Sequence, residues 1–415
     1  MKKLAIMMAL VLASTCGYAQ KKAVNSAKNK ASNTESPDFA GAREDIKAAL
    51  ENEETKNLAN TWYVAGLIGY KENEYAMIQA QFGNPKDDEK VGKAVVESYD
   101  YWIKADQIAM TPTLDKKGRE VVDTKTRKAI ADKMLEYYRT QELVKYGIYL
   151  NDKRDFATAY EVFMRHLNIP NLDMMQDAKY QKEMPKDSIY QQYMYYAGIF
   201  AAQAENHDNA IAIFEQMKDG EYEPVTVTQL LYQEYQAKKD TANFVRVLQD
   251  ATVKFPSEPW FLQNLINHYI YSGQEQKAIE YLDQAIAREP NVAQYHHIKG
   301  NLDENAKNYD AALADFDAAL ALDPTLADAH AGKGRVYYNQ AVKMNEDAAY
   351  ITDQKAYNAA LKEMNEMFRK ALPHFEKAHE LDPKNRDFIM ILRGLYYRFQ
   401  MDDKYTAISE ELNNL

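Results

Sequence analysis

Small and apolar side chains recur three to four residues apart along much of this chain, the spacing that lines one face of an α-helix. Ala312, Phe316 and Ala319 form one such stripe, with polar residues on the faces between them. The stripe stops at Pro324, and Pro256 and Pro290 close similar segments at 34-residue intervals. The segment 291–324 reads NVAQYHHIKGNLDENAKNYDAALADFDAALALDP, preceded over 257–290 by SEPWFLQNLINHYIYSGQEQKAIEYLDQAIAREP. Each predicts a pair of helices. In the later copy Gly300 falls in the first, Tyr309 and Ala312 open the second, and Phe316 and Ala319 continue it.

Each residue type in this pattern has a physical role. A small residue in the first helix lets the second approach closely, and the alanines and aromatic of the second interlock with their neighbours. Proline just past the second helix stops it. Small residue, aromatic and proline in fixed phase resemble the tetratricopeptide repeat (TPR), a helix–turn–helix unit of this period. The resemblance covers roughly 57–415 and is strongest over 191–335. It implies an all-α repeat solenoid wound as a right-handed superhelix.

Weaker copies keep the phase, with Gly198, Ala210 and Phe214 in one and Gly147, Ala159 and Phe163 in another. The stretch 171–189 between those two is expected to be an inserted loop. Pro383 lies 59 residues after Pro324, one period and 25 more. Gly334 and Phe375 hold the repeat positions on either side of that insertion. Its helix-forming residues, about 338–362, predict an extended helical hairpin. Near the N-terminus Gly66 and Trp102 mark another lengthened copy. The region 107–139 fits no copy and predicts a polar loop around Gly118, then a helix merging into the second repeat. In all, about seven repeats are expected within 39–415, led by a helix at 41–53 and closed by capping helices at 387–399 and 403–414, because an end repeat would otherwise expose an apolar face.

The first residues differ. Lys2 and Lys3 precede an apolar run from Leu4 to Ala13 and small residues up to Ala19, the form of a secretory signal peptide over 1–19. The run is too short to span a bilayer. Cys16, the single cysteine, leaves open the alternative of lipidation and anchoring at that residue, although Ala13 stands where such signals usually carry leucine. Residues 20–38, rich in Lys, Asn, Ala and Ser, are expected to be a disordered linker. The expected location is therefore periplasmic or envelope-associated.

A net charge of −11 argues against a general nucleic-acid binder. The chain contains 31 tyrosines, but Tyr235, Tyr269, Tyr337 and Tyr396 share one first-helix position and are expected in the core. His296 and His330, one period apart, are expected to be packing residues; no HExxH or Cys/His spacing occurs, so no metal or other cofactor is expected. Acid clusters such as Asp87-Asp88-Glu89 fall at helix starts, where the helix dipole favours them. AGKGR, 331–335, lacks phosphate-loop spacing, and no catalytic constellation is present. The chain is not expected to be an enzyme.

The TPR resemblance implies that first helices line a concave groove that holds peptides or partner proteins. Projected onto this chain, that groove includes Tyr195, Gln233, Trp260 and Gln263, continuing through Asn267, His297, Asn301 and Arg335. Amides predominate, and each offers both a donor and an acceptor to an extended backbone; Trp260 and Tyr195 are expected anchors. Asn267 and Asn301 match the asparagines of the family's carboxylate clamp. Gln263 and His297 replace its lysines and Arg335 is out of position, so no clamp is expected. These features predict a non-enzymatic protein-interaction scaffold of the bacterial envelope. The alternative is a glycan-binding surface protein related to TPR-containing carbohydrate-uptake components.

Overall fold

The computed structural model describes residues 20–115 and 117–414. Residues 1–19, where a signal peptide is expected, and Cys16 with them, lie outside the described residues. The fold is an all-α helical repeat, divided after Val247 into two compact units.

In the first unit, residues 20–32 form helix α1, followed by α2 (Phe39–Glu51), α3 (Ala59–Gln81) and α4 (Asp88–Ala109). The linker expected at 20–38 is thus largely helical and packed. Val24, Ala27 and Ala31 are buried against Ala42, Ile46, Ala49, Val64, Ala65 and Ile68. The reason is spacing: these three small apolar residues share one helical face, so a mostly polar segment still has a stripe to bury. An ion pair from Lys30 to Asp45 (2.8 Å) adds to it.

A two-stranded hairpin, β1 (Thr113–Leu114) and β2 (Glu120–Val121), then turns at Gly118, whose φ of 74° suits glycine. Helix α5 (Thr124–Thr140) does not merge into the next repeat. Gln141 breaks it in the left-handed region (φ 58°), and α6 (Glu142–Asp152) starts anew. Helix α5 instead buries Tyr137 beside Trp102 and Tyr70, with ring centroids 5.5 and 5.8 Å away. Helix α7 (Phe156–Asn168) is followed by two short 3-10 turns and α8 (Ala178–Gln181) in the region expected to be an inserted loop. The unit continues with α9 (Ser188–Gln203), α10 (His207–Met217), α11 (Pro224–Ala237) and the start of α12 (Thr241–Lys254).

The second unit contains α13 (Pro259–Tyr271), α14 (Glu275–Arg288), α15 (Ala293–Asn305) and α16 (Tyr309–Leu322). Two long helices, α17 (Ala327–Ala348) and α18 (Gln354–Leu381), form the expected hairpin around 338–362, and α19 (Arg386–Arg398) and α20 (Asp402–Asn413) close the unit. Prolines lead α11 and α13, where a missing N–H is harmless. Asp87, at the start of an acid cluster, caps α4 by accepting from the Lys90 N–H.

Close approach of glycine to aromatic repeats through both units. A Cβ on Gly300 would lie 2.8 Å from Phe316, one on Gly198 2.5 Å from Phe214, and one on Gly334 2.8 Å from Phe375. Gly147 meets Phe163 and Gly66 meets Trp102 in the same way. Where Ile266 replaces the glycine, Leu282 replaces the aromatic, so the large ring is absent where the first helix carries a branched side chain. Tyr235, Tyr269 and Tyr396 are buried as expected, and Tyr337 is half-buried against His374. The three buried hydroxyls meet a residue of the preceding second helix: Tyr235 and Tyr396 donate to Glu215 (2.8 Å) and Glu376 (3.1 Å), and Tyr269 accepts from Gln249 (3.0 Å). This gives each ring a fixed polar end.

Candidate partner-binding face

The expected groove residues occupy first helices, but they are not equivalent. On α13 of the second unit, Gln263 and Asn267 are exposed. Gln263 makes only a long contact to the Tyr295 hydroxyl (3.4 Å). Trp260 is half-buried, with its ring edge-on to Phe261 at 5.1 Å. Gln263 and Asn267 thus lie on the solvent-facing side of α13, with Trp260 partly covered.

On α15 the projection requires correction. His297 is 7% exposed and packs towards Phe316, with centroids 6.1 Å apart. Burial lowers its pKa, consistent with a neutral ring whose Nε2 accepts from the Asn301 amide at 3.1 Å. Asn301 Oδ1 in turn accepts from the Arg335 guanidinium at 2.8 Å. Arg335 is also paired with Glu304, at 3.0 and 3.1 Å, and Asn339 donates to the same carboxylate at 3.1 Å. Thus His297, Asn301 and Arg335 form an internal relay between α15 and α17. Sequence projection missed this because equivalent positions on adjacent helices face each other as well as the groove.

Arg335→Ala is expected to reduce the stability of this unit by about 1–2 kcal/mol, since Glu304, with a side chain only 9% exposed, would lose its charge partner. Urea unfolding checks this, with Arg335→Ala combined with Glu304→Gln expected to recover part of the loss.

In the first unit, Tyr195 is half-buried between Tyr196 and Tyr222, with centroids 5.9 and 5.6 Å away, and Gln233 is exposed. The more concave feature was not projected. A cavity of about 350 Å³ opens between first helices α6 and α9, with Phe163 of α7 among its walls. Its aliphatic lining comes from Val144, Ile148 and Ile199, and its rings include Tyr193, Tyr196 and Phe200. Ile148 and Tyr196 are 50% and 38% exposed, large apolar surface that the core does not need. Asn151 and Gln203, near the C-terminal ends of α6 and α9, supply amides.

No acid, lysine, arginine or histidine lines this cavity. Burial raises the Tyr193 pKa, keeping that hydroxyl un-ionised near neutral pH. The site can exclude water from an uncharged group and offer it amides, but it holds no pair suited to proton transfer. Among the described residues no group of three His, Cys, Asp or Glu side chains is placed to hold a metal ion. The available sequence signal was the appearance of Ile148 and Tyr196 at outward helical positions. The cavity joins residues of α6, α7 and α9 that are separated in sequence by the 169–187 segment, so no local pattern marks it.

These hairpins and their outward first-helix faces define a TPR-type helical-repeat fold. No protein-family model and no curated protein matches the chain. Among solved structures, one described as the crystal structure of MamA is 18% identical, covering 44% of this chain and 93% of that one, with a TM-score of 0.35. A second, MamA AMB-1, is 23% identical over 48% of this chain and 94% of its own, with a TM-score of 0.33. A third, MamA from residue 41 to its end from Desulfovibrio magneticus RS-1, is 18% identical over 46% and 91%, also at 0.33. Each of these matches covers less than half of this chain.

Proposed function

We propose that this protein is a non-enzymatic interaction scaffold whose first-helix faces bind a partner protein. The observation that carries the reading is the uncharged cavity between α6 and α9, rimmed by the exposed side chains of Ile148 and Tyr196. Exposed apolar surface gathered around a concavity favours association, whereas single exposed apolar residues require no explanation. The exposed amides Gln233, Gln263 and Asn267 suit an extended backbone. TPR family membership is part of this proposal.

The proposed location is the bacterial envelope, on the strength of Lys2, Lys3 and the Leu4–Ala13 run. No helix among the described residues is long and apolar enough to cross a membrane. N-terminal sequencing of the exported protein is expected to begin at Gln20; a lipid-modified Cys16 would instead establish anchoring.

Affinity capture from crosslinked envelope extract tests the scaffold reading. A partner retained by the native chain and lost from a folded Gln263→Ala, Asn267→Ala, Ile148→Glu variant would support it. Absence of any such partner would count against it and direct attention to glycans. Trp260→Ala is expected to leave most of the fold intact while weakening capture, as checked by melting beside the same assay.

A further inference from the structure

The cavity between α6 and α9 has a chemistry narrower than protein binding in general. Resting on the scaffold reading, we propose that it receives one large, uncharged aromatic side chain from an extended segment of a partner protein. Three properties of the site argue for that occupant.

The first is charge. None of the lining residues is an acid, lysine, arginine or histidine. A charged side chain entering here would lose water without gaining a counter-ion, while a neutral one would lose little. The match is therefore one of neutral surface to neutral surface.

The second is ring geometry. Phe163 stands edge-on to both Phe200 and Tyr193, with centroids 5.1 and 5.9 Å away and interplanar angles of 87° and 89°. Another ring can continue this edge-to-face array, which is favourable beyond area burial alone. A volume of about 350 Å³ is at the small end of ligand sites and accommodates one large side chain with adjoining main chain. A docking helix would instead need anchors one and two turns further along.

The third is the pair of amides. Asn151 and Gln203 make no side-chain hydrogen bond to another described residue. An extended segment carries unpaired N–H and C=O groups that both amides can meet. In a helix those groups are already bonded.

The test uses the full-length protein and three defined probes: the N-acetyl amides of tryptophan, leucine and glutamate, followed by saturation-transfer NMR. N-acetyl-tryptophanamide is expected to bind saturably, at least tenfold more tightly than the glutamate analogue and more tightly than leucine. Ile148→Glu is expected to weaken the tryptophan probe at least tenfold, and Tyr196→Ala to weaken it as well. Both residues are partly exposed, and melting curves verify that each variant is folded.

No saturable binding, binding unchanged in both folded variants, or equal binding of the glutamate or leucine probe would overturn the assignment. A captured protein partner retained equally by native and Ile148→Glu chains would overturn it too, while leaving the scaffold reading intact. Loss of all partner capture beside retained probe binding would count against the scaffold reading and leave the aromatic pocket standing.

Discussion

Gly300→Leu is expected to destabilise the second unit by about 2–4 kcal/mol, seen as a lower calorimetric melting temperature. Glycine within a helix costs roughly 0.5–1 kcal/mol relative to alanine, so local propensity alone would make a larger side chain stabilising here. Packing reverses the sign. Even a Cβ at Gly300 would lie 2.8 Å from the Phe316 ring, which is 0% exposed. The ring cannot retreat freely, because a Cβ built on Gly332 would lie 2.5 Å from it on another side.

A second substitution separates this contact from a general helix effect. Ile266 and Leu282 hold the equivalent positions in the preceding repeat. Phe316→Leu is therefore expected to recover part of the loss when added to Gly300→Leu. Strictly additive effects would contradict the contact. An unchanged melting curve for Gly300→Leu alone would contradict the repeat phase itself.

Acid is expected to destabilise the first unit through His166. Its ring is 2% exposed, stacked on Tyr138 at 4.8 Å and edge-on to Tyr193 at 5.4 Å. Its Nδ1 has no hydrogen-bond partner among the described residues. Burial pushes its pKa down to about 4, despite a place in the last turn of α7, where the helix dipole favours a cation. Desolvation is the larger effect.

Because the folded pKa lies below that of an unfolded histidine, the unfolded state binds more protons between the two values. Stability therefore falls as pH drops from about 6.5 towards 4. The contribution amounts to about 2 kcal/mol between pH 7.5 and 5. Urea unfolding at those two pH values checks it in a Trp260→Phe background, where Trp62 and Trp102 report on the first unit. His166→Phe keeps an aromatic ring in the stack and is expected to reduce the pH dependence by that amount. An identical dependence in both proteins would show that His166 does not titrate as described.

Much of the repeat pattern was legible because it is local. Gly300 and Phe316 are neighbours across one hairpin, and their spacing is repeated at Gly198 and Phe214. Even across the long hairpin, Gly334 and Phe375 kept their roles, since extending two paired helices leaves the contact at their base unchanged. The N-terminal helix was less legible because Val24, Ala27 and Ala31 form a thin stripe among lysines and asparagines. Only burial against α2 and α3 makes that stripe count. Composition described the solvent side of this segment and not its packed face.

At the candidate face the same division applies to particular residues. Exposure of Gln263 and Asn267 follows from their helical phase, so it could be projected from position alone. The fate of His297 could not, because its burial depends on Phe316 of the next helix, and Arg335 is occupied by Glu304 across the helix pair.

What the sequence alone determined was the helical period, the glycine–aromatic phase and the placement of the two lengthened hairpins, because these rest on interactions between residues at regular separations. Tertiary structure alone decided which polar groups satisfy one another and where α6 and α9 leave a cavity. Those outcomes depend on distances between helices, and distances of an ångström or two separate an internal hydrogen bond from a group left open to a partner.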